Sequence, residues 1–299
     1  MPEDIRNIGF IGLGRMGLPM ATRLSAAGFR VRGFDISDQA RAAFAGHVAD
    51  TLAAAVADAD AVVLMLPDSK VIKKVAHEQG LLRAMRGGAL LIDMSSAEPV
   101  ATTELAEEAG KRNITLVGAP VSGGVTGAAN GMLTIMAGGP VSAVDRARTV
   151  LDVLGTRVVH VGDSPGAGHA LKALNNLIAA IHMLAASEAM LAGQRFGLDP
   201  AVMLDVVNTS TGRSFATQRN WPEHVLPGTY DSGFAMQLIV KDALIGLGIE
   251  RAAGTGAGLA ELAVELWRRA ANWLPEGADH TEIVRWLEHT REGAADFTE

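Results

Sequence analysis

Lys172 and Asn176 are the residues of this chain whose types and spacing most directly suggest chemistry. They lie in the segment Gly166-Ala-Gly-His-Ala-Leu-Lys-Ala-Leu-Asn-Asn176, which opens a long apolar pattern with helical spacing. Residues four apart share one helix face, so the amine and the amide are expected to point the same way. We predict that Lys172 is a general acid and base. The alternative is a solvated lysine on an exposed face, where most lysines lie.

A glycine motif near the N-terminus predicts a dinucleotide-binding turn. Gly12-Leu13-Gly14-Arg15-Met16-Gly17 follows the apolar run Ile8–Ile11 and opens a helical pattern. Gly12 would permit a tight turn, Gly14 would let backbone approach a pyrophosphate, and Gly17 would let the helix pack against the strand. A purely structural turn is the alternative, but the strand before and the helix after the motif favour a dinucleotide.

Asp35, at the end of the predicted second strand, bears on which nicotinamide cofactor is bound. A carboxylate there accepts hydrogen bonds from the ribose hydroxyls of NAD and repels the 2′-phosphate of NADP. Ile36 and Ser37 follow it, where an NADP enzyme more often has arginine. Arg30 and Arg32 precede it and leave NADP open. NAD is therefore favoured over NADP.

Two later groups of residues lie where ligands bind at the carboxyl edge of a parallel sheet. Leu66-Pro67 and Ser96 follow predicted strands and are expected to face the cofactor, although ordinary loop chemistry would also explain them. Val121-Ser122-Gly123-Gly124 has too many flexible positions for a strand interior. Its amides and the Ser122 hydroxyl could form an anion-binding nest for a substrate carboxylate, with a plain turn as the alternative.

Lys172 needs a reason to exchange its proton near neutral pH. A free lysine has a pKa of ~10.4, and burial or a nearby positive charge lowers it toward the ~7–8 that suits proton transfer. An oxidised nicotinamide ring beside the amine would supply that charge. Asn175 projects ~100° away from Asn176 around the helix and is assigned to packing or to an interface.

The elements that must position these residues fall into two halves. Apolar runs predict buried strands at Ile8–Ile11, Arg30–Phe34, Ala61–Leu66, Ala89–Ile92, Thr115–Val117, Leu133–Ala137 and Val158–Val161. Because helical patterns separate them, we predict a mostly parallel sheet covered on both faces, an α/β Rossmann-type doubly wound fold.

No strand is predicted after Gly162. Helical patterns run on from Ala167, with breaks at Gly197–Pro200, Pro222–Asp231, Gly254–Gly258 and Leu274–Asp279. We therefore predict a dinucleotide-binding domain over residues 1–165 and an all-α domain over residues 166–299, joined by a helix at about 167–195.

Composition argues for a globular protein of the cytoplasm. The 299 residues are 48% hydrophobic, with a net charge of −7 and no basic block, so no nucleic-acid partner is expected. The chain has no cysteine, which excludes thiolate chemistry and suits a reducing compartment. A signal-peptide pattern is not recognisable, and polar residues within Leu174–Leu191 argue against a membrane span.

The sequence argues against a metal site and against a phosphate-binding P-loop. The eight histidines form no H-x-x-x-H or H-x-H pair, so no metal site is expected. The glycine motif Gly12–Gly17 lacks the lysine of a phosphate-binding P-loop.

Four motifs in this order resemble the signatures of the β-hydroxyacid dehydrogenase family. The family includes 3-hydroxyisobutyrate dehydrogenase, tartronate semialdehyde reductase and, more distantly, 6-phosphogluconate dehydrogenase. The motifs are Gly9–Ala21, Pro120–Gly124, Gly166–Asn176 and Lys241-Asp242, and the resemblance covers nearly the whole chain. It implies a Rossmann-type domain, a long interdomain helix and an all-α substrate and oligomerisation domain, in homodimers or homotetramers.

The resemblance also implies roles for individual residues. Lys172 would be the proton donor and acceptor, Ser122-Gly123-Gly124 would hold the substrate carboxylate, and Asn176 would orient the substrate. Ser96 and Lys241 match positions that contact the cofactor, and the role of Lys241 rests on the resemblance alone.

A pocket near Asn208–Asn220 and Phe234 is expected to select the substrate side chain. Arg213 and Arg219 are candidates for binding a second anionic group on the substrate. The alternative, that both are surface arginines, is the commoner case for this residue type.

The chain departs from the family pattern at two positions. Gly118 stands where an aspartate usually precedes Ala-Pro-Val-Ser-Gly-Gly, so a supporting contact is expected to be missing. Ala243 follows Lys241-Asp242 where leucine is usual. Imine-reducing relatives normally lack the catalytic lysine, so Lys172 argues against that branch.

We therefore predict an NAD-dependent dehydrogenase of a small 3-hydroxy carboxylate. Hydride would pass between the alcohol carbon and NAD, with Lys172 taking the hydroxyl proton during oxidation and returning it during reduction. Substrates left open are 3-hydroxyisobutyrate, tartronate semialdehyde or glycerate, serine-like amino acids and sulfonated analogues. A semialdehyde reductase is the alternative activity, and a non-catalytic NAD-binding sensor is the alternative from another class.

Overall fold

The computed structural model of the protein describes residues 5–256 and 258–292. The chain forms two compact units, the first ending at Lys172 and the second beginning at Ala173. Helix α9 (Ala167–Phe196) begins in the first unit and continues in the second. The predicted fold class, a Rossmann-type sheet followed by helices that include one long helix, is confirmed.

The first unit is built on one sheet, with nine strands among the described residues. The strands are β1 (Asn7–Ile11), β2 (Arg30–Phe34), β3 (His47–Val48), β4 (Ala61–Leu64), β5 (Leu90–Asp93), β6 (Thr115–Gly118), β7 (Val121–Ser122), β8 (Leu133–Gly138) and β9 (Gly155–Gly162). Their order is β3-β2-β1-β4-β5-β6-β8-β7, and β9 also pairs with β8. Strands β1 to β6 run parallel, whereas β8 is antiparallel to β6 and β7.

Helices separate the strands of this unit. They are α1 (Gly17–Ala26), α2 (Asp38–Ala43), α3 (Leu52–Val56), α4 (Ser69–His77), α5 (Leu81–Ala84), α6 (Pro99–Gly110), α7 (Gly124–Asn130) and α8 (Val141–Leu154). Local signals set several of their starts. The side chains of Ser37, Thr51 and Asp68 each accept a hydrogen bond from a backbone amide three residues later, which caps the helix.

Neighbouring residues of the central strands face opposite sides of the sheet. Phe10, Val63 and Ile92 belong to the apolar core on one face, whereas Ile11 and Leu64 belong to the core on the other. All five side chains are buried. Because both faces are covered, these strands are continuous apolar runs in the sequence instead of alternating patterns.

The second unit is helical. Its further elements are α10 (Pro200–Asn208), a π-helix (Ala216–Val225), α11 (Met236–Ala253), α12 (Leu259–Trp273), a 3₁₀ turn (His280–Glu282) and α13 (Ile283–Glu292). Two buried indoles fix neighbouring elements to α9. Trp267 Nε1 donates to the Ala180 carbonyl oxygen at 3.1 Å, and Trp221 Nε1 donates to Ser187 Oγ at 3.3 Å.

The predicted helix break at Pro222–Asp231 begins too early, because the π-helix continues through the proline and ends at Val225. Proline lacks the amide that would serve the carbonyl five residues earlier in a π-helix, which is that of Thr217. Asn208 Nδ2 donates to that carbonyl oxygen at 3.0 Å instead. A side chain from α10 therefore supplies the missing donor.

Helix α9 is long and apolar enough to cross a membrane by length and composition, with a mean hydropathy of 1.3 over an 18-residue window. The polar residues of α9, which argued against a membrane span, do not lower its mean hydropathy enough to exclude one. In the protein 44% of the window is buried, and Leu177, Met183 and Leu184 belong to the core of the second unit. A core helix passes the same test, so the composition of α9 assigns no membrane location.

Candidate active site

The glycine turn joins β1 to α1, and its three glycines have different surroundings. A Cβ on Gly12 would overlap the carbonyl oxygen of Met65, and a Cβ on Gly17 would overlap that of Gly12. Gly12 also has a φ of 99°. A Cβ on Gly14 would meet nothing within 4 Å. Packing therefore requires Gly12 and Gly17, whereas the face of Gly14 is open to a pyrophosphate.

The other residues of the turn differ in exposure. Leu13 is buried, Met16 is half-buried and Arg15 is exposed. Helix α1 begins at Gly17, and no side chain caps its first amides. Uncapped amides at the positive end of a helix are the donors that bind a dinucleotide pyrophosphate, so the turn fits that group.

Asp35 holds the glycine turn in place. Its Oδ2 accepts a hydrogen bond from the Leu13 amide at 2.7 Å, and its Oδ1 accepts one from the Ser37 amide at 2.8 Å. Each carboxylate oxygen can accept a further bond, so both can still bind ribose hydroxyls. Arg32, one of the two arginines that left NADP open, lies 3.3 Å from Asp58 and donates to it.

The predicted cofactor residues after β4 and β5 lie on neighbouring strand ends. β4 ends at Leu64, two residues before the predicted end. The Leu66 amide donates to Ser95 Oγ at 3.0 Å, and the Ser95 amide donates to Asp93 Oδ1 at 3.1 Å. Since β2, β1, β4 and β5 are adjacent, the turn, Asp35, Leu66-Pro67 and Ser96 follow one edge of the sheet.

The predicted nest lies at the start of α7. Val121-Ser122 is a short strand, β7, paired with β8, so the expectation that these flexible positions exclude a strand is wrong for its first half. Gly123 and Gly124 have φ values of 135° and 62°, and a Cβ on Gly124 would meet nothing within 4 Å. The backbone after Ser122 is therefore turned and open, and its binding of a carboxylate stays a prediction.

The first turn of α9 packs against the segment that leads to Ser122. A Cβ on Gly168 would overlap the Met136 carbonyl oxygen and lie 3.0 Å from Pro120 Cδ. Lys172 is half-buried and follows Gly168 by four residues, so it lies on the same helix face. The fold thus brings the first turn of α9, one turn before Lys172, to the edge of the sheet where Ser122 lies.

Asn176 is held by a partner that the sequence analysis did not single out. Its Nδ2 donates to Asp242 Oδ2 at 2.6 Å, and its Oδ1 accepts from Asn175 Nδ2 at 3.1 Å. Asn175, assigned to packing or an interface from its direction on the helix, thus also contacts Asn176. Lys241 Nζ lies 3.5 Å from Asp242 Oδ1, which brings this predicted cofactor residue into the same group.

Close helix packing explains why Asn176 and Asp242 meet. A Cβ on Gly246 of α11 would lie 2.9 Å from Leu177 Cβ and 3.0 Å from the Ala173 carbonyl oxygen. Gly246 is one helical turn after Asp242, so the missing side chain lets α11 approach α9 beside Asn176. The only sequence signal for Asp242 was its place in the Lys-Asp motif.

Phe234 lies in the segment before α11, and residues near the C-terminus hold this segment in place. Its carbonyl oxygen accepts from the His280 amide at 2.9 Å, and its ring meets the His280 imidazole edge-on at 5.5 Å. Asp279 Oδ2 accepts from the Gly233 amide at 2.8 Å and from Ser232 Oγ at 2.9 Å. These contacts fix the backbone that carries Phe234.

Asp279 is an acid whose ionised form is stabilised by hydrogen bonds. Burial alone would raise its pKa, but hydrogen bonds from His280, Thr281 and Ser232 outweigh burial and hold the pKa well below its usual range. Ser232 Oγ donates to the Asp279 carboxylate and also lies 3.0 Å from His280 Nδ1, so the three side chains form one group.

The two arginines proposed for a second anionic group do not gain support from their surroundings. Arg219 pairs with Glu223 at 2.9 Å on an exposed face, and Arg213 is exposed. Both fit the alternative of surface arginines.

Two family models match consecutive parts of the chain. Residues 7–162 match the model described as "NAD binding domain of 6-phosphogluconate dehydrogenase". Residues 166–287 match the model described as "NAD-binding of NADP-dependent 3-hydroxyisobutyrate dehydrogenase".

Individual proteins resemble the chain over most of its length. The 2-(hydroxymethyl)glutarate dehydrogenase of Eubacterium barkeri is 38% identical over 254 residues, covering 84% of this chain and 83% of that protein. The 3-hydroxyisobutyrate dehydrogenase of Pseudomonas aeruginosa is 36% identical over 292 residues, covering 93% and 97%. A solved structure of the Mycobacterium tuberculosis 3-hydroxyisobutyrate dehydrogenase with L-serine has a TM-score of 0.87 and 33% identity, covering 95% and 99%.

Proposed function

Because the chain belongs to the β-hydroxyacid dehydrogenase family, and is an NAD(P)-dependent 3-hydroxyacid dehydrogenase of the 3-hydroxyisobutyrate dehydrogenase type, we propose that it oxidises a small 3-hydroxy carboxylate with NAD and that Lys172 is its general acid and base. One observation carries the proposal. The first turn of α9, one turn before Lys172, packs at Gly168 on the segment before Ser122, at the sheet edge that also holds the glycine turn.

The residues of the first unit would hold the cofactor. The open face of Gly14 and the uncapped start of α1 fit a pyrophosphate, and Asp35 would accept from the ribose hydroxyls. When bound, the nicotinamide supplies the acceptor or donor of the hydride that leaves or joins the alcohol carbon. Leu66-Pro67 and Ser96 would line the same edge.

Lys172 would exchange the proton that hydride transfer requires. Its Nζ takes the hydroxyl proton as the alcohol is oxidised, and returns a proton to the carbonyl oxygen during reduction. Asn176 would orient the substrate oxygen. Its amide is held by Asp242 and Asn175, so its Oδ1 keeps one free acceptor position in a fixed direction.

NAD is proposed over NADP because of the charges around Asp35. A carboxylate repels the 2′-phosphate of NADP, and Arg32 is engaged with Asp58. The side chain of Arg41 is similarly occupied, since it donates to the Asp35 carbonyl oxygen at 2.6 Å and contacts Asp38. These pairings engage the side chains of Arg32 and Arg41, which supports the preference for NAD.

The substrate is proposed to be a 3-hydroxy carboxylate with a short side chain. Ser122-Gly123-Gly124 would hold its carboxylate, and Phe234 would contact its side chain. 3-Hydroxyisobutyrate is the first candidate, because relatives bear that name at 36% identity over nearly the full length. Reduction of tartronate semialdehyde or a related semialdehyde is the alternative activity of the same site.

A panel of substrates tests the proposal. NAD reduction would be followed at 340 nm with 3-hydroxyisobutyrate, L-serine, glycerate, 2-(hydroxymethyl)glutarate and a 3-hydroxyalkyl sulfonate, and repeated with NADP. Lys172→Ala should lower kcat by roughly a hundredfold to ten-thousandfold, the usual contribution of general acid–base catalysis. Lys111→Ala, an exposed lysine of the same unit, is the control. Turnover that survives Lys172→Ala at neutral pH contradicts the mechanism.

A non-catalytic NAD sensor is the alternative from another class. It would bind NAD tightly and transfer no hydride to any acid of the panel, and it would give Lys172 no role. Isothermal titration with NAD on wild type and Lys172→Ala, together with the panel, separates the two functions.

A homodimer or homotetramer is proposed as the assembled form. Large apolar side chains on helices of the second unit are strongly exposed, including Ile178, Val206 and Phe196, which are 53%, 56% and 85% exposed. Exposed apolar groups of this size are typical of an interaction surface. Sedimentation velocity that gives a single species near the chain mass of 31.1 kDa would contradict the proposal.

A further inference from the structure

His169 and Asp93 form a buried pair in the first unit that has no part in the proposed proton transfer. Each residue is only 1% exposed, and His169 Nε2 lies 3.5 Å from Asp93 Oδ2. His169 belongs to the first turn of α9, and Asp93 is the last residue of β5. Two buried titratable side chains cost more free energy than well-packed apolar ones, so packing alone does not account for the pair.

The Ala97 amide determines the protonation of the imidazole. This amide lies 3.4 Å from His169 Nδ1 and can only donate a hydrogen bond. Nδ1 is therefore the acceptor, and the neutral ring carries its proton on Nε2, the nitrogen that faces Asp93. Contacts at both nitrogens hold the ring in one orientation between the end of β5 and the residue after Ser96.

The pair adjoins a chain of hydrogen bonds along the sheet edge. Asp93 Oδ1 accepts from the Ser95 amide, and Ser95 Oγ accepts from the Leu66 amide. The imidazole thus joins the start of α9 to two strand ends that the proposed function assigns to the cofactor. A buried network of this kind fixes its members more rigidly than separate contacts do.

Gly118 provides the space for this imidazole. A Cβ at position 118 would overlap the Pro165 carbonyl oxygen and lie 3.0 Å from the His169 ring. A side chain there would displace either the ring or the entry into α9. The backbone at Pro165 and the ring of His169 therefore both require a glycine at position 118, where the family usually has aspartate.

We propose that His169 is a positioning residue for Lys172, which rests on the proposed function of that lysine. The two residues are three apart on α9 and so are neighbours on its surface. Holding the imidazole against Asp93 and Ala97 fixes the rotation and depth of the first helical turn. The stem of Lys172 is thereby fixed relative to Ser96, and a displacement of about 1 Å at a reacting group can lower a rate about a hundredfold.

Two substitutions of similar size in the full-length enzyme test this role. In His169→Gln, Oε1 can accept from the Ala97 amide while Nε2 donates to Asp93, whereas His169→Met provides neither contact. The assay uses 3-hydroxyisobutyrate, or L-serine if that acid reacts faster, and kcat is expressed per NAD-binding site. The kcat of His169→Met should be about tenfold to a hundredfold lower than that of wild type. This substitution should also change the pH profile of kcat. The kcat of His169→Gln should stay within about threefold of wild type, and the KM of both variants should stay within about threefold of wild type.

Expressing kcat per NAD-binding site corrects for any loss of folded protein. If His169 had only a structural role, its replacement would therefore leave kcat and its pH profile unchanged. A Met variant with wild-type kcat and pH profile overturns the proposal. A Gln variant that is no more active than the Met variant also overturns it.

A measurement on the wild-type protein does not depend on whether a variant folds. ¹⁵N chemical shifts of the His169 ring should show a protonated Nε2 and an unprotonated Nδ1, and the opposite tautomer overturns the proposal. Lys172→Ala, assayed beside the His169 variants, separates this result from failure of the proposed function. If Lys172→Ala keeps its activity, the proposed mechanism fails; if it is inactive while His169→Met matches wild type, only the positioning role fails.

Discussion

Asn176 Nδ2 donates a hydrogen bond of 2.6 Å to Asp242 Oδ2, and both side chains are buried. The bond joins α9 to α11 within the second unit and leaves the asparagine amide one orientation. Asp242 also lies 3.5 Å from Lys241 Nζ. One carboxylate therefore orients an amide assigned to the substrate and an amine assigned to the cofactor.

Replacing Asp242 by alanine should impair catalysis through Asn176. We expect kcat/KM to fall about tenfold to a hundredfold, since a hydrogen bond to a charged group contributes about 1.5–3 kcal/mol. Asp205→Ala removes an exposed carboxylate of the same unit and is the matched control. If Asp242 acts through Asn176, the double variant with Asn176→Ala should lose less activity than the sum of the two single losses, the remainder reflecting the contact of Asp242 with Lys241. Steady-state kinetics with additive losses would contradict that coupling.

Gly14 and Gly17 offer a matched pair that separates ligand binding from folding. Gly14→Ala adds a methyl group into open space, so the melting temperature should stay near that of wild type. The methyl group would occupy the approach of the pyrophosphate, and the Kd for NAD should rise at least about tenfold. Gly17→Ala forces a methyl group onto the Gly12 carbonyl and should destabilise the protein by roughly 1–3 kcal/mol. Thermal unfolding and calorimetric titration measure both effects, and unchanged NAD binding by Gly14→Ala places the pyrophosphate elsewhere.

Local signals in the sequence predicted the framework of the site. The strand, glycine turn and helix at Asn7–Ala26 follow from apolar periodicity and from glycines whose missing side chains the packing requires. The long helix α9 is predicted for the same reason, because its apolar spacing persists over 30 residues. The fold class, which depends on the alternation of such elements, could therefore be derived from the sequence.

Contacts between distant residues could not be predicted in this way. Asn176 and Asp242 are 66 residues apart, and Ala97 and His169 are 72 apart. Nothing in the local pattern around either residue specifies its partner. The strand at Val121-Ser122 was missed for a related reason, since its pairing with β8 overrides the local preference of glycine-rich sequence for turns.

Asp35→Asn should weaken the preference for NAD over NADP. Asparagine keeps the size of the side chain and removes the charge that would repel a 2′-phosphate. We expect the ratio of kcat/KM with NAD to kcat/KM with NADP to fall at least about tenfold, equivalent to about 1.4 kcal/mol. Asp50→Asn, which removes an exposed charge of the same unit, is the control for a general change in potential. A ratio that does not respond to Asp35→Asn would show that this carboxylate serves only to hold the Leu13 and Ser37 amides.

Asp279 should make the stability of the protein depend on pH. Burial raises its pKa, but hydrogen bonds from His280, Thr281 and Ser232 outweigh burial and leave the folded-state pKa well below the unfolded value of ~3.9. The stabilisation is therefore fully present above pH ~4 and is lost as pH falls through the unfolded pKa toward the folded one. Asp279→Asn should lower the free energy of unfolding by roughly 1–3 kcal/mol at pH 7 and by less near pH 3.

Urea unfolding of wild type and Asp279→Asn at both pH values measures that difference. Asp231→Asn is the control, because Asp231 accepts hydrogen bonds from Thr229 and His224 on an exposed face and should change stability little. The same bonds of Asp279 hold Ser232 and Gly233, so their loss should also raise KM for the substrate by freeing Phe234. A difference in unfolding free energy that is the same at both pH values would mean that Asp279 acts through shape and not through its charge.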